Sequence, residues 1–428
     1  MIQLKPHPDN FFVCPKCGTD QPQINDFRFE SINIFADCSC RECGFTFYQT
    51  LPVGHNVDFP ISIGKDNDVI YKSVKCPQWL SLPVATAYRE RRTIGVAIER
   101  IIYKKSDKVI ILNTLDSLYG HVLLKLYNAF SHLDHQPDFG LVLIIPKMFK
   151  WLIPRGCAEV WVVDLNLRDL KYNYEAIHGF VSKRFNDFGE IYLSKAYSHP
   201  NVKANDIERL TRVRPFDLTK FMERRPIITF VLREERWWFK NKFDYWFYRL
   251  CRRLNILAWG SHVLVERQNR LVKKTMKLIR KKVPRTKFFV VGIGDPDGFN
   301  GIGEDQRCRE VNAAIERNWC RIYARSHVII GIHGSNMLLP TALAAGCVEI
   351  LPEDRYGNMI QDISVRYNDR KQLFFYRFAD QFASADNVAN KAVAILSDYE
   401  TFNANMCKNT YSGEPSMISL HQVGDAYH

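Results

Sequence analysis

Two short turns, Cys14-Pro15-Lys16-Cys17-Gly18 and Cys40-Arg41-Glu42-Cys43-Gly44, carry the most specific chemistry in the chain. In each, two thiolates converge on one side of a tight loop, and the glycine that follows tolerates the positive φ that closes it. Together the turns supply the four sulfurs of a tetrahedral Zn²⁺ site. Such a shell leaves no position for water, which makes the ion structural rather than catalytic. Cys38 is a spare thiol that could replace Cys40, although Cys38-Ser39-Cys40 makes a poorer turn. A second constellation begins where the apolar run Val328-Ile329-Ile330-Gly331-Ile332 meets His333-Gly334-Ser335-Asn336 and continues into an apolar stretch over 338–345. A buried strand that turns tightly into a short helix presents free N–H groups and the positive end of a helix dipole, which suits a phosphate. Gly334 lets the backbone approach closely, Ser335 and Asn336 can cap or donate, and His333 can donate to a phosphate oxygen. The next strand ends in Glu349 and Glu353, where a ribose or sugar hydroxyl could be read; Glu349 could instead be half-buried and paired.

The elements that must position these groups are legible as alternating runs. Between the cysteine turns, the segment 27–34 alternates apolar and polar residues as a strand does, and 45–48 reads the same way. Residues 51–75 are polar and turn-rich, a linker or a peripheral hairpin. Continuous apolar runs at 109–112, 141–145, 160–163 and 191–193, with a helix over 119–131, predict a first α/β unit with a parallel sheet. Runs at 227–232, 287–292, 328–332 and 348–351, with helices over 265–282, 309–324 and 338–345, predict a second. The expected division is 1–50, 51–223 and 224–428, with a final helix at 387–396 crossing back onto the first unit. Two such units in tandem create a cleft between the carboxyl ends of their strands.

The cysteine-bearing segment resembles a zinc ribbon. The 327–353 segment resembles the nucleotide-sugar half of a GT-B glycosyltransferase, most of all glycosyltransferase family 61 (DUF563), in which a strand, an H-G-[AS]-[GN] turn and an apolar helix lead to a strand with its Glu. Thr229-Phe230-Val231-Leu232-Arg233 resembles that family's strand ending in Arg, and Leu118-Tyr119-Gly120-His121-Val122-Leu123-Leu124-Lys125 its "GH" helix. The resemblance implies two Rossmann-like α/β domains facing a cleft, a nucleotide-sugar donor, a glycan or lipid-linked acceptor, and inverting transfer without catalytic metal in surface polysaccharide synthesis. Asn336 departs from the commoner Gly. On this reading Arg233, Arg236 and the 333–336 turn meet the charge of the leaving diphosphate. The base for the acceptor hydroxyl comes from the first unit, where Asp116 and His121 follow a strand. Asp116 could equally cap the helix that follows it.

Composition narrows the partners. The chain has 59 Lys+Arg against 46 Asp+Glu, a net +13, which favours anionic partners: nucleic acid, an anionic membrane surface or a phosphorylated substrate. The segment 236–249, rich in Trp, Tyr, Phe, Lys and Arg, fits an interfacial helix, a platform for sugars or single-stranded bases, or a core helix with snorkelling cations. A non-catalytic nucleic-acid-binding protein built on the ribbon is the alternative from another class. No run of about 18 apolar residues suggests a membrane span. The amino end lacks the apolar stretch of a signal peptide, and the remaining cysteines are scattered singly, so the expected setting is a reducing cytosol, with peripheral contact at the inner membrane face. Gly292-Ile293-Gly294-Asp295-Pro296-Asp297-Gly298 does not match the dinucleotide fingerprint, which argues against a dehydrogenase, and its aspartates read as a surface turn.

Overall fold

The computed structural model describes residues 1–66, 69–200, 206–233, 236–359, 374–399 and 401. In the first unit, Glu190–Leu193, Lys108–Asn113, Gly140–Pro146 and Glu159–Val163 lie parallel in that spatial order. Ile2–Lys5 and Ile98–Ile102 close the two edges antiparallel. Every residue of Gly140–Pro146 is buried, as a strand covered on both faces requires. The chain steps outward over three parallel strands and then returns, so the order reverses between Lys108–Asn113 and Glu190–Leu193.

Among the described residues the second unit has six parallel strands: Glu304–Asp305, Lys287–Ile293, Ile227–Arg233, Val328–Ile332, Gly346–Leu351 and Tyr376–Asp380. Counted along this unit the order is 3-2-1-4-5-6, the doubly wound arrangement, with its reversal between Ile227–Arg233 and Val328–Ile332. Side chains alternate across the sheet. Val231, Phe289, Val291 and Ile329 share a core with the helices Ala313–Tyr323 and Leu338–Leu343. Phe230, Leu232, Phe288, Val290 and Ile330 face Leu257–Lys282 and Ala385–Ser397. The first of these cores runs unbroken into the first unit and on to the cysteine-bearing sheet. The layout is two α/β units preceded by a small module that brings four cysteines together.

That module is a five-stranded antiparallel sheet: Gln23–Phe29, Ile34–Ser39, Thr46–Thr50, Ile61–Gly64 and Ile70–Lys72. It extends past residue 50, and part of the segment read as linker or hairpin supplies its last two strands. The segment 27–34 is a hairpin corner rather than one strand. Its alternation runs on because the corner itself is buried: Glu30 pairs with Arg28 and Arg91, and Ser31 Oγ donates to the Leu170 carbonyl of the first unit (2.7 Å). A second correction concerns the final helix. Ala385–Ser397 packs on Leu257–Lys282 and on the second sheet, because Val388, Ala389, Ala392 and Ile395 complete that unit's own core.

Candidate functional site

Open α/β sheets bind ligands outside the carboxyl ends of the strands where strand order reverses. In the second unit that place is the gap between Arg233, which ends one strand, and His333, which follows the other. The His333 N–H still donates to the Ile350 carbonyl (2.9 Å), so the sheet holds the backbone up to the turn. At Gly334 φ is +145°, and a Cβ there would lie 1.7 Å from Arg236 Nη1. The missing side chain is what lets that guanidinium reach across and donate to the His333 carbonyl (2.7 Å). Burial, and then the neighbouring Arg236, pull Arg233 down to about 10, so it keeps its charge at neutral pH. Two cations set this close in a partly buried position are stabilised by an anion between them. Ser335–Met337 forms one tight turn before Leu338–Leu343, and the Asn336 Oδ1 is buried with no hydrogen-bond partner among the described residues.

Behind the turn, His333 Nδ1 sits 3.0 Å from Glu349 Oε1, and the Tyr376 hydroxyl donates to Glu349 Oε2 at 2.6 Å. Glu349 is fully buried. With both oxygens engaged it is paired within the fold, the second of the two arrangements that the sequence left open. Glu353 lies farther on, exposed, at the start of the turn Glu353–Asn358.

The reversal point of the first unit holds Asp116 after one strand and His199 after the other. Asp116 is buried. Its carboxylate accepts Lys125 Nζ at 2.9 Å and the Leu118 N–H at 3.1 Å, and lies 3.3 Å from His121 Nδ1. Burial alone would raise its pKa, but Lys125 and His121 outweigh that and hold it well below the usual carboxylate range. A carboxylate locked in this way holds an imidazole and is a poor base itself. The His121 ring stands 5.2 Å from that of His55, which is 6.0 Å from His199 and 5.0 Å from Trp79. Burial first, then His121, push His55 down to about 4 and lower His199 as well. Sequence reading missed His55, His199 and Lys125. The signal available for His55 and His199 was their position shortly after strand ends; Lys125, inside the helix Tyr119–His135, carried none.

The two reversal points face each other. A Cβ on Gly120, the residue before His121, would lie 2.7 Å from Ser335 Cβ. Alongside, Glu316 of the second unit accepts the Tyr119 hydroxyl (2.5 Å) and Trp151 Nε1 (2.8 Å) of the first. Burial raises the Glu316 carboxyl while these two donors oppose the rise. A cavity of about 330 Å³ opens in this seam, lined by Tyr119, Met148 and Leu167 from one unit and Arg233, Asn336 and Pro340 among others from the other. It adjoins a larger one of about 740 Å³ bordered by the loop after Ile293 and by His262, Asn269 and Arg307, with Ile293 and Arg309 shared. In that loop Asp295 is ion-paired with Arg309.

Far along the chain from this seam, Cys14, Cys17, Cys40 and Cys43 bring their sulfurs within 4.8 Å of one another. The two turns match bond for bond: the Gly18 N–H donates to Cys14 O (2.9 Å) and the Gly44 N–H to Cys40 O (3.0 Å), with φ of +79° and +67°. Sγ–Sγ separations of 3.7 Å (Cys14–Cys43) and 3.5 Å (Cys17–Cys40) approach the roughly 3.8 Å edge of a tetrahedron with metal–sulfur bonds of about 2.3 Å. The four residues can therefore hold a metal ion. Cys38 points into the core, where burial pushes its thiol up to about 12.

No known sequence family matches the chain, and no curated protein does. Solved structures show distant likeness. The E. coli heptosyltransferase WaaC with ADP is 10% identical, over 70% of this chain and 100% of that one, with a TM-score of 0.37. A chain assigned as a UDP-N-acetylglucosamine 2-epimerase from Listeria monocytogenes is 10% identical over 65% of this chain, which spans 64% of it, with a TM-score of 0.27. Accessory secretory proteins 1, 2 and 3 of Streptococcus pneumoniae give 8% identity, 93% and 81% coverage and a TM-score of 0.24. Similarity at this level identifies no residue of the site.

Proposed function

We propose that the chain is a glycosyltransferase that moves a sugar from a nucleotide-sugar donor to a glycan or lipid-linked acceptor, as its resemblance to glycosyltransferase family 61 implies. One observation carries the reading: a cationic turn at one strand-order reversal meets a His–Asp pair at the other, with Gly120 against Ser335 between them. The donor diphosphate lies on the 333–336 turn with Arg233 and Arg236. His121, held by Asp116, takes the proton of the acceptor hydroxyl. That oxygen attacks the anomeric carbon as the bond to the diphosphate oxygen breaks, the electron pair leaves with the nucleoside diphosphate, and the configuration inverts. Arg233 and Arg236 take up the developing charge, so the proposal includes no catalytic metal. Surface polysaccharide or glycolipid synthesis at the cytoplasmic face is the setting that the resemblance suggests.

Calorimetry with UDP, GDP, CDP and their sugars tests this. Saturable binding of one nucleotide, weakened about tenfold or more by Arg236→Ala, supports the donor site (tenfold is about 1.4 kcal/mol). Absence of binding to every nucleotide, with salt-sensitive binding to RNA instead, overturns it in favour of the nucleic-acid reading. The cysteine quartet is proposed to hold a structural zinc. Metal analysis then finds one Zn per chain, reduced in Cys17→Ser; iron, or no metal, would refute the assignment.

A further inference from the structure

The helix Lys242–Arg253 and the start of Leu257–Lys282 form a hairpin at the edge of the second unit, held tightly where Gly260 meets Cys251. Its inner side is a small apolar cluster of Trp237, Phe239, Leu264 and Tyr248. Its outer side is unusual for a soluble surface. Phe243, Trp246, Leu254, Ile256 and Trp259 are between 42% and 64% exposed. Phe243 and Trp246 are three residues apart on one helical face with ring centroids 5.7 Å apart, and Leu254 and Ile256 continue the apolar strip around the turn. Arg249, Arg252 and Arg253 flank the strip and, with Tyr245 and Tyr248, line a groove of about 620 Å³. Between Lys240 and Val265 the sequence has one acidic residue, Asp244. It is buried and ion-paired with Arg267, so it does not offset the outer positive charge.

We propose that this hairpin docks on an anionic phospholipid bilayer, with Phe243, Trp246, Leu254, Ile256 and Trp259 inserted at headgroup depth and the three arginines on lipid phosphates. Exposed apolar groups beside basic ones favour a surface that offers hydrocarbon and negative charge together. Leu254 and Ile256 decide against single-stranded nucleic acid, since aliphatic side chains gain nothing by stacking on bases. Charge decides against a second copy, since face-to-face contact would oppose like charges. The helix Leu257–Lys282 also lends His262 and Val265 to the larger cavity beside the seam, so docking would set that cavity next to the bilayer. The surface is defined by its own residues and stands whether or not the chain transfers sugar.

The test is co-sedimentation of the full chain with vesicles of phosphatidylcholine, with or without phosphatidylglycerol. The expected result is binding about tenfold or more tighter to the anionic vesicles, with Trp246 and Trp259 fluorescence shifted to the blue. Trp246→Ser with Trp259→Ser should lower binding about tenfold. Arg249→Gln, Arg252→Gln and Arg253→Gln together should lower it about a hundredfold. Unchanged melting curves show that these exposed substitutions leave the fold intact. Free glycerol phosphate should not displace the protein. Displacement by it would assign the groove to a soluble phosphate and overturn docking. Equal binding to neutral vesicles, binding to single-stranded RNA in place of vesicles, or a dimer that the Trp variants dissolve would also overturn it.

Discussion

The strand Val328–Ile332 has a buried histidine just beyond each end, and the two are used in opposite ways. At the amino end, His327 accepts the Ile227 N–H on Nδ1 (3.1 Å) and donates from Nε2 to the Phe221 carbonyl (3.0 Å), with the Phe216 and Phe221 rings each 4.8 Å away. Both nitrogens are satisfied by backbone, and burial pushes the ring down to about 4. At the carboxyl end, His333 is held through Nδ1 by a carboxylate that Tyr376 fixes in turn, while its carbonyl anchors Arg236. One histidine joins strands. The other is oriented by a buried glutamate at the end of the sheet where open α/β folds bind ligands. Residue type and burial are the same at both; the partners and the end of the strand set a structural histidine apart from a candidate site residue.

That separation is broken most directly by truncating each ring. His333→Ala should lower sugar transfer per folded molecule, from the donor that calorimetry identifies, by about 10³-fold, roughly 4 kcal/mol. It should also cost about 2 kcal/mol of stability, because it leaves the buried Glu349 short of a partner. His327→Ala should cost stability alone. It leaves a buried N–H and a buried C=O without partners and opens a cavity between two phenylalanines, for a loss of about 3 kcal/mol in urea unfolding. Transfer per folded molecule should stay as in wild type. Loss of stability without loss of transfer in His333→Ala would put both histidines in the same class.

Sequence reading reached one half of this comparison. His333 stood out because a glycine turn follows it, and the second sheet was legible because its central strands are unbroken apolar runs such as Ile227-Ile228-Thr229-Phe230-Val231-Leu232. His327 carried no signal, since its partners Phe221 and Ile227 lie about a hundred residues away. The same distance hid Glu316, which meets Tyr119 from 197 residues along, and left Glu349 ambiguous until Tyr376 appeared beside it. Edge strands were missed for another reason. In Ile98–Ile102 charged Glu99 and Arg100 interrupt the apolar pattern, and Ile2–Lys5 is too short to show one.

Acid sharpens the comparison next. The folded pKa of His327, about 4, lies below the unfolded value of about 6.5, so the unfolded chain takes the proton first. The stability from the neutral ring is therefore complete above pH 6.5 and lost as pH falls from there toward 4. The loss should be about 2 kcal/mol after allowing for partial solvent access. Denaturant unfolding of wild type and His327→Gln across this window should show a shallower decline in the variant. The decline that persists belongs to His55, His132, His178 and His199, which burial depresses in the same direction. Parallel curves for the two proteins would mean that His327 is not held neutral.

The smallest effect tests whether His333 faces a second substrate at all. An alanine at Gly120 would put its Cβ 2.7 Å from Ser335 Cβ and 3.1 Å from Leu338 Cδ1, closer than carbon atoms rest, so the seam must widen by about 1 Å. The helix itself favours alanine over glycine by up to about 1 kcal/mol, which offsets the strain in the folding balance. Stability should therefore barely move, while transfer should fall about tenfold because donor and base are drawn apart. Gly179→Ala supplies the control: it lies in the helix Glu175–Phe185 with open space around it, so it should gain the helix preference and leave transfer unchanged. If both alanines behave alike, the contact between Gly120 and Ser335 is mere packing, His121 does not work opposite His333, and the acceptor base must be sought elsewhere.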